Sequence, residues 1–121
     1  MNPIILTIDL PNTLLFLRGD VRQGYPEIEQ SGGIWATETC IAVSGLSDGP
    51  TRIVIGRLAD VQPGERLVFD GEMSTAASFV SVEIVPGDRV DAFEVSRSRT
   101  HFRIWTDGYL DSEYITIAIV D

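Results

Sequence analysis

Apolar and polar residues alternate along most of this chain with a period of two. Ile4, Leu6, Ile8 and Leu10 share one face of an extended segment, with Thr7 and Asp9 on the other. The same rhythm returns where Ile53 and Ile55 alternate with Arg52 and Val54, and where Val80, Val82 and Ile84 alternate with Ser81 and Glu83. Phe93 and Val95 flank Glu94, and Ile115, Ile117 and Ile119 enclose Thr116 and Ala118. Side chains of a strand point to opposite faces in turn, so this pattern describes strands with one buried face. The β-branched and aromatic content suits a pleated, half-buried surface. Residues 88–107, the longest stretch without glycine or proline, read better at a period of two than at the ~3.6 of a helix.

Glycine and proline divide the chain into short pieces. The pattern predicts strands at about 3–10, 13–18, 34–44, 51–59, 65–70, 78–85, 89–97, 100–106 and 113–120. Eight or nine short strands punctuated by turns predict an all-β fold, an antiparallel β-sandwich with little or no helix. "LSDGPT" and "IVPGDR" read as tight turns between strands. "RLADVQPGERLVF" reads as a strand, a proline-glycine turn and a second strand. Gly19 to Gly33 is the longest candidate loop, and long loops in compact domains often carry function.

A chain of 121 residues is expected to form a single domain, 1–121, with a core that needs no disulfide. Its one cysteine, Cys40, lies in an apolar strand neighbourhood and is expected to be a buried, inert thiol. The lone thiol and the start "MNPIILTIDLPN", which lacks a basic leader, give the expectation of a reducing, cytoplasmic setting. No stretch approaches the ~18–20 apolar residues that span a bilayer, so no membrane role is expected.

Charge changes the picture more. Eighteen acidic residues face nine basic ones, all arginine, for a net charge of −9. Direct nucleic-acid binding rests on basic contacts to phosphate, so it is not expected. A surface of this sign suits a basic protein partner, or serves solubility alone.

Candidate chemistry gathers in "RSRTHFRIWTDGYLDSEY". If Phe102 and Ile104 enter the core, His101, Arg103 and Trp105 stand together on the opposite face. Tryptophan and arginine are enriched at binding hot spots; the plainer alternative is an exposed sheet face where Arg103 stacks on an aromatic ring. A single histidine cannot build a multi-histidine zinc site. A Ser-His-Asp triad would have to use His101, and no G-x-S-x-G elbow is present. No enzyme activity, metal or cofactor is therefore expected. Asp107, Asp111 and Glu113 form an acidic connection without EF-hand spacing, and Glu27 and Glu29 form a second acidic pair in "YPEIEQ". The basic island of Arg97, Arg99 and Arg103 either holds an anion such as phosphate or pairs with nearby acids.

The order of these features resembles that of small bacterial proteins of the competence protein J family, partners and inhibitors of a DNA-uptake nuclease. An early apolar hairpin, "IILTIDLPNTLLFL", leads to a loop ending in "GYPEIEQSGGIWAT". "TRIVIGRLAD", "ASFVSVEIV" and "THFRIW" follow before a terminal apolar strand. The resemblance spans most of the chain as a pattern and carries across no individual functional residue. It implies a nuclease inhibitor, which must cover a basic, phosphate-binding cleft. Acids would supply complementarity and on-rate there, and buried aromatics such as Trp35, Trp105 or Tyr109 would anchor the contact.

The expected function is thus an acidic protein-binding module, an inhibitor or immunity-type protein for a basic nuclease or toxin. Its candidate binding residues are Glu27, Glu29, Trp35, His101, Arg103, Trp105, Asp107, Tyr109, Asp111 and Glu113. Two alternatives stay open: a small-ligand or carbohydrate-binding sandwich with a concave, tryptophan-lined site, and a subunit of a homo-oligomeric assembly that meets its copies through a sheet face or edge.

Overall fold

The computed structural model describes residues 1–29, 33–108 and 111–120. Its ten strands are β1 (Ile4–Ile8), β2 (Leu14–Arg18), β3 (Ile34–Ala36), β4 (Cys40–Ser44), β5 (Thr51–Arg57), β6 (Arg66–Ser74), β7 (Phe79–Val85), β8 (Asp88–Glu94), β9 (Arg99–Thr106) and β10 (Tyr114–Val120). They form two five-stranded sheets. Sheet A has the order β1-β5-β10-β9-β6, and sheet B the order β3-β4-β2-β7-β8. The fold is all-β and sandwich-like.

The inner faces are those the alternation predicts. Ile53, Ile55, Phe102, Ile104, Ile115 and Ile117 of sheet A pack against Leu15, Leu17, Ile41, Val43, Val80 and Val82 of sheet B, all fully buried. Ile117 sits in register between Ile55 and Ile104, which makes a continuous isoleucine row across three strands. Phe93 meets Phe102 edge to face across the layers, with centroids 6.4 Å apart.

Several local expectations change. The segment 34–44 is a hairpin, β3 and β4, because Thr37 N–H donates to the Cys40 carbonyl and closes a turn in its middle. β6 runs on to Ser74, past Gly71, because the β9 ladder continues there. Residues 58–60 form a 3₁₀ turn and leave the sheet. The expected early hairpin does not form: β1 and β2 lie in different sheets, and the chain turns a corner between layers. "LSDGPT" likewise carries the chain from sheet B to sheet A, whereas "IVPGDR" is a true β7–β8 hairpin with Gly87 at φ +84°, a conformation only glycine adopts freely. One interior pair, β5 with β10, is parallel; the long excursion between them makes that possible.

The connection from β5 to β6 is not a tight turn between paired strands. Those strands are separated in sheet A by β10 and β9, so residues 58–65 cross the outer face. A Cβ on Gly64 would stand 2.8 Å from Trp105 Cβ. Glycine is therefore what lets this strap lie directly on the tryptophan.

Candidate interaction surface

The outer face of sheet A carries the histidine-arginine-tryptophan trio. Cross-strand register sets Asp70 of β6 beside Arg103 and Glu72 beside His101. His101 Nε2 is bonded to Asp70 Oδ1, and Arg103 Nε lies 3.5 Å from the same oxygen. Arg99 bridges Glu38 at 3.0 Å and Glu72 at 3.3 Å. The His101 hydrogen bond is the main reason Asp70 is held below its ordinary carboxylate pKa; burial opposes it, and the Arg103 charge assists. These groups are half exposed, so water screens them and each pair contributes little to stability. Two arginines of the basic island thus pair with acids. The guanidinium of Arg97 has no partner among the described residues.

Trp105 is nearly covered, at 8% exposure, by the strap that ends in Pro63 and Gly64. Beside it lies a recess of about 240 Å³ lined by the strap residues 62–65, Trp105, Asp107, Tyr114 and Thr116. Leu67 and Tyr114 stand on the same outer face: Leu67 opposes Trp105, and Tyr114 alternates with the buried Ile115. Ile5, opposite Val54, joins them. These three are about half exposed or more, at 51%, 50% and 58%. Glu65 and Asp107 put carboxylates beside this apolar surface.

The acidic connection between β9 and β10 divides by role. Asp107 accepts from Tyr114 N–H at 3.0 Å, and Asp111 accepts from the Ser47 N–H and hydroxyl at 2.7 and 3.1 Å. Both acids organise loops. The Glu113 carboxylate is exposed and has no partner among the described residues, and the same holds for Glu27 and Glu29. Tyr109 lies outside the described residues. Gly33, which closes the long loop, accepts from Ser44 N–H, and the next residue, Gly45, accepts from Ser112 N–H. These bonds bring Gly33 and Ser112 to successive residues at the end of β4, and no described contact joins Glu27 or Glu29 to the 107–113 connection.

Trp35 is elsewhere. It packs half-buried with Tyr25 against Phe16, Cys40 and Ala42 on the outer face of sheet B, so the two tryptophans lie on opposite sides of the molecule. Cys40 is buried, as expected, and burial pushes its thiol pKa up to about 12.

Sheet B also holds a polar cluster that the sequence reading did not single out. Glu83 and Arg18 are buried at 2% and 7% exposure and pair at 3.2 Å. Glu83 also accepts from the Tyr25 hydroxyl at 2.6 Å, Ser81 at 2.9 Å and Gly87 N–H at 2.9 Å. Arg18 Nη2 reaches the carbonyls of Val21 and Gln23 at 2.5 and 3.2 Å, which holds the long loop on the sheet. Burial raises the Glu83 pKa, but hydrogen bonds from Tyr25, Gly87, Ser81 and Arg18 outweigh it and keep the value below the ordinary range. Tyr25 is raised, by burial first and then by its bond to Glu83. The available signal was a charge in an otherwise apolar strand, Arg18 ending "LLFLR" and Glu83 within "VSVEIV", on the side opposite the core residues. The acid is fully engaged, so the cluster is a latch and offers no free base.

Among the described residues no group of histidine, cysteine, aspartate and glutamate is arranged to hold a metal ion, and no helix is long and apolar enough to cross a membrane. No protein-family model and no curated protein matches the chain. Among solved structures, the chain is similar to ComJ from Bacillus subtilis, described as an inhibitor of the DNA-degrading activity of NucA. That match has a TM-score of 0.65 at 12% identity and covers 100% of this chain and 96% of ComJ. At that identity the match shows a shared fold.

Proposed function

We propose that this protein is an acidic inhibitor-type module that docks on the basic, phosphate-binding cleft of a nuclease. The full-length fold match to ComJ carries the reading, and the net charge of −9 fits it. An acidic surface in such a cleft takes the place of DNA phosphates and steers the encounter. The contact face is the outer side of sheet A together with the adjoining acidic end. Tyr114 and Leu67, beside the Trp105 recess, supply the apolar anchors that dominate interface energetics. Glu113, with Glu27 and Glu29 on the long loop, offers carboxylates not committed to the fold; Asp107 and Asp111 shape the loop that presents them. Asp70 offsets the charge of Arg103 and is bonded by His101, which keeps that face from repelling a cationic partner. The protein acts by occlusion and needs no catalytic group.

A pull-down from the native host at low salt, eluted with rising salt, tests this. The expected product is a basic nuclease, released by moderate salt, whose DNA degradation stops when the pure protein is added back. The triple charge reversal Glu27→Lys, Glu29→Lys and Glu113→Lys weakens that inhibition by about tenfold or more, since rim charges act mainly through on-rate. An eluate with no nuclease activity, or binding indifferent to salt, overturns the proposal. Recovery of copies of this chain alone would replace it with the assembly reading.

A further inference from the structure

We infer that the end of the sandwich opposite the acidic connection is a binding site for a small organic anion with an apolar body. Here β8, β10 and β5 finish and β9 begins, and the two layers part to leave a cavity of about 520 Å³. That is within the ~300–1,000 Å³ of small-molecule sites. Its floor is the core itself: Ile119, exposed by only 7%, and Val95, which packs on the same cluster. Among the described residues its rim holds Arg57, Arg97 and Glu94; Arg57 already has an interaction of its own, and Arg97 is the guanidinium open to a ligand. An open guanidinium over an apolar floor selects an anionic head with a hydrocarbon or aromatic body, because each half of such a ligand meets its complement.

The wall that presents Arg97 is fixed in advance. The fully buried Thr75 gives its hydroxyl to the Arg97 carbonyl at 2.7 Å and shares a 2.8 Å hydrogen bond with Thr100, itself a lining residue. Thr75 N–H donates to Ser98 and Val95 N–H to Ser78, at 2.7 and 3.0 Å. The backbone of the 95–98 connection is thus pinned on both sides, while the Arg97 guanidinium stays free of partners among the described residues. Of the three arginines in the basic island, Arg99 and Arg103 are spent on acids and Arg97 is not. Preformed walls lower the ordering cost of binding. This site does not depend on the nuclease reading, since it lies at the other end of the molecule.

Titration of ¹⁵N-labelled protein with octanoate, octanol and acetate tests the inference. Octanoate is expected to shift the amides of Val95, Ser96, Arg97, Thr100, Ile119 and Val120 saturably. Octanol lacks the charge and acetate the body, so each binds about tenfold or more weakly. Arg97→Ala lowers octanoate affinity by about tenfold, the loss of one charge-assisted contact, and Arg97→Lys recovers part of it. The dispersion of each variant's spectrum reports its folding independently. Absence of saturable shifts at these residues overturns the site. Equal binding of octanol and octanoate, or binding unchanged in Arg97→Ala, overturns the assignment to an anion.

Discussion

The two sheets carry polar residues on their outer faces by the same alternation, yet the faces end in opposite states. On sheet B the long loop lies over the surface, so Arg18 and Glu83 are buried and must satisfy each other and every neighbouring donor. On sheet A the strap reaches only as far as Trp105, and His101, Arg103, Asp70 and Glu72 remain half exposed. One arginine-acid pair is a latch for a loop, and the other is a solvated surface. Cover decides the difference: out of water a charge without its partner is costly, while in water it is screened.

Removing one side of the buried pair should give the largest effect. Glu83→Ala leaves Arg18 buried and unpaired, and urea denaturation should show a loss of about 3–5 kcal/mol. If the loss were small, the loop would not be sealing that face. Tyr25→Phe removes the hydroxyl that bonds Glu83 and Gly87. It should cost about 1–2 kcal/mol and expose residues 19–29 to faster proteolysis.

Stability should also depend on pH through this cluster, with opposite signs at the two limbs. Glu83 is depressed in the folded state, so its contribution is complete above its ordinary value of 4.5 and disappears as the pH falls through the lower folded value. Tyr25 is raised, so its contribution is complete below its ordinary value of 10.0 and disappears as the pH rises through the higher folded one. Denaturation midpoints followed across pH in Glu83→Gln should show a weakened acid limb. Last and smallest, Asp70→Asn on sheet A should scarcely move the urea midpoint, because its partners are already hydrated. A loss matching that of Tyr25→Phe would show that the exposed face is sealed too, and would erase the contrast between the sheets.

Particular residues show how far the sequence carries. Segment 78–85 is read almost to the residue as β7, with Val80 and Val82 inward, because pleating ties side-chain direction to position. The segment 34–44 looked continuous because its central threonines suit strands, yet Thr37 closes a turn there. Alternation puts Trp105 on the outward face, where it lies, but its cover by Gly64 comes from a connection that alternation does not place. Asp107, Asp111 and Glu113 looked alike in sequence; only the hydrogen bonds to Tyr114 and Ser47 separate the two organisers from the free acid. Arg97 looked like its neighbours Arg99 and Arg103 until the partners of each were placed.

The sequence alone determined most of the strands, the face of each that enters the core, and a surface rich in negative charge, because these follow from local alternation and composition. The tertiary structure alone decided which strands are neighbours, where the connections cross, and hence which outward charges are buried, paired or left open to a ligand. Those outcomes depend on contacts between residues far apart in the chain, such as Arg18 with Glu83, whose meeting no local pattern encodes.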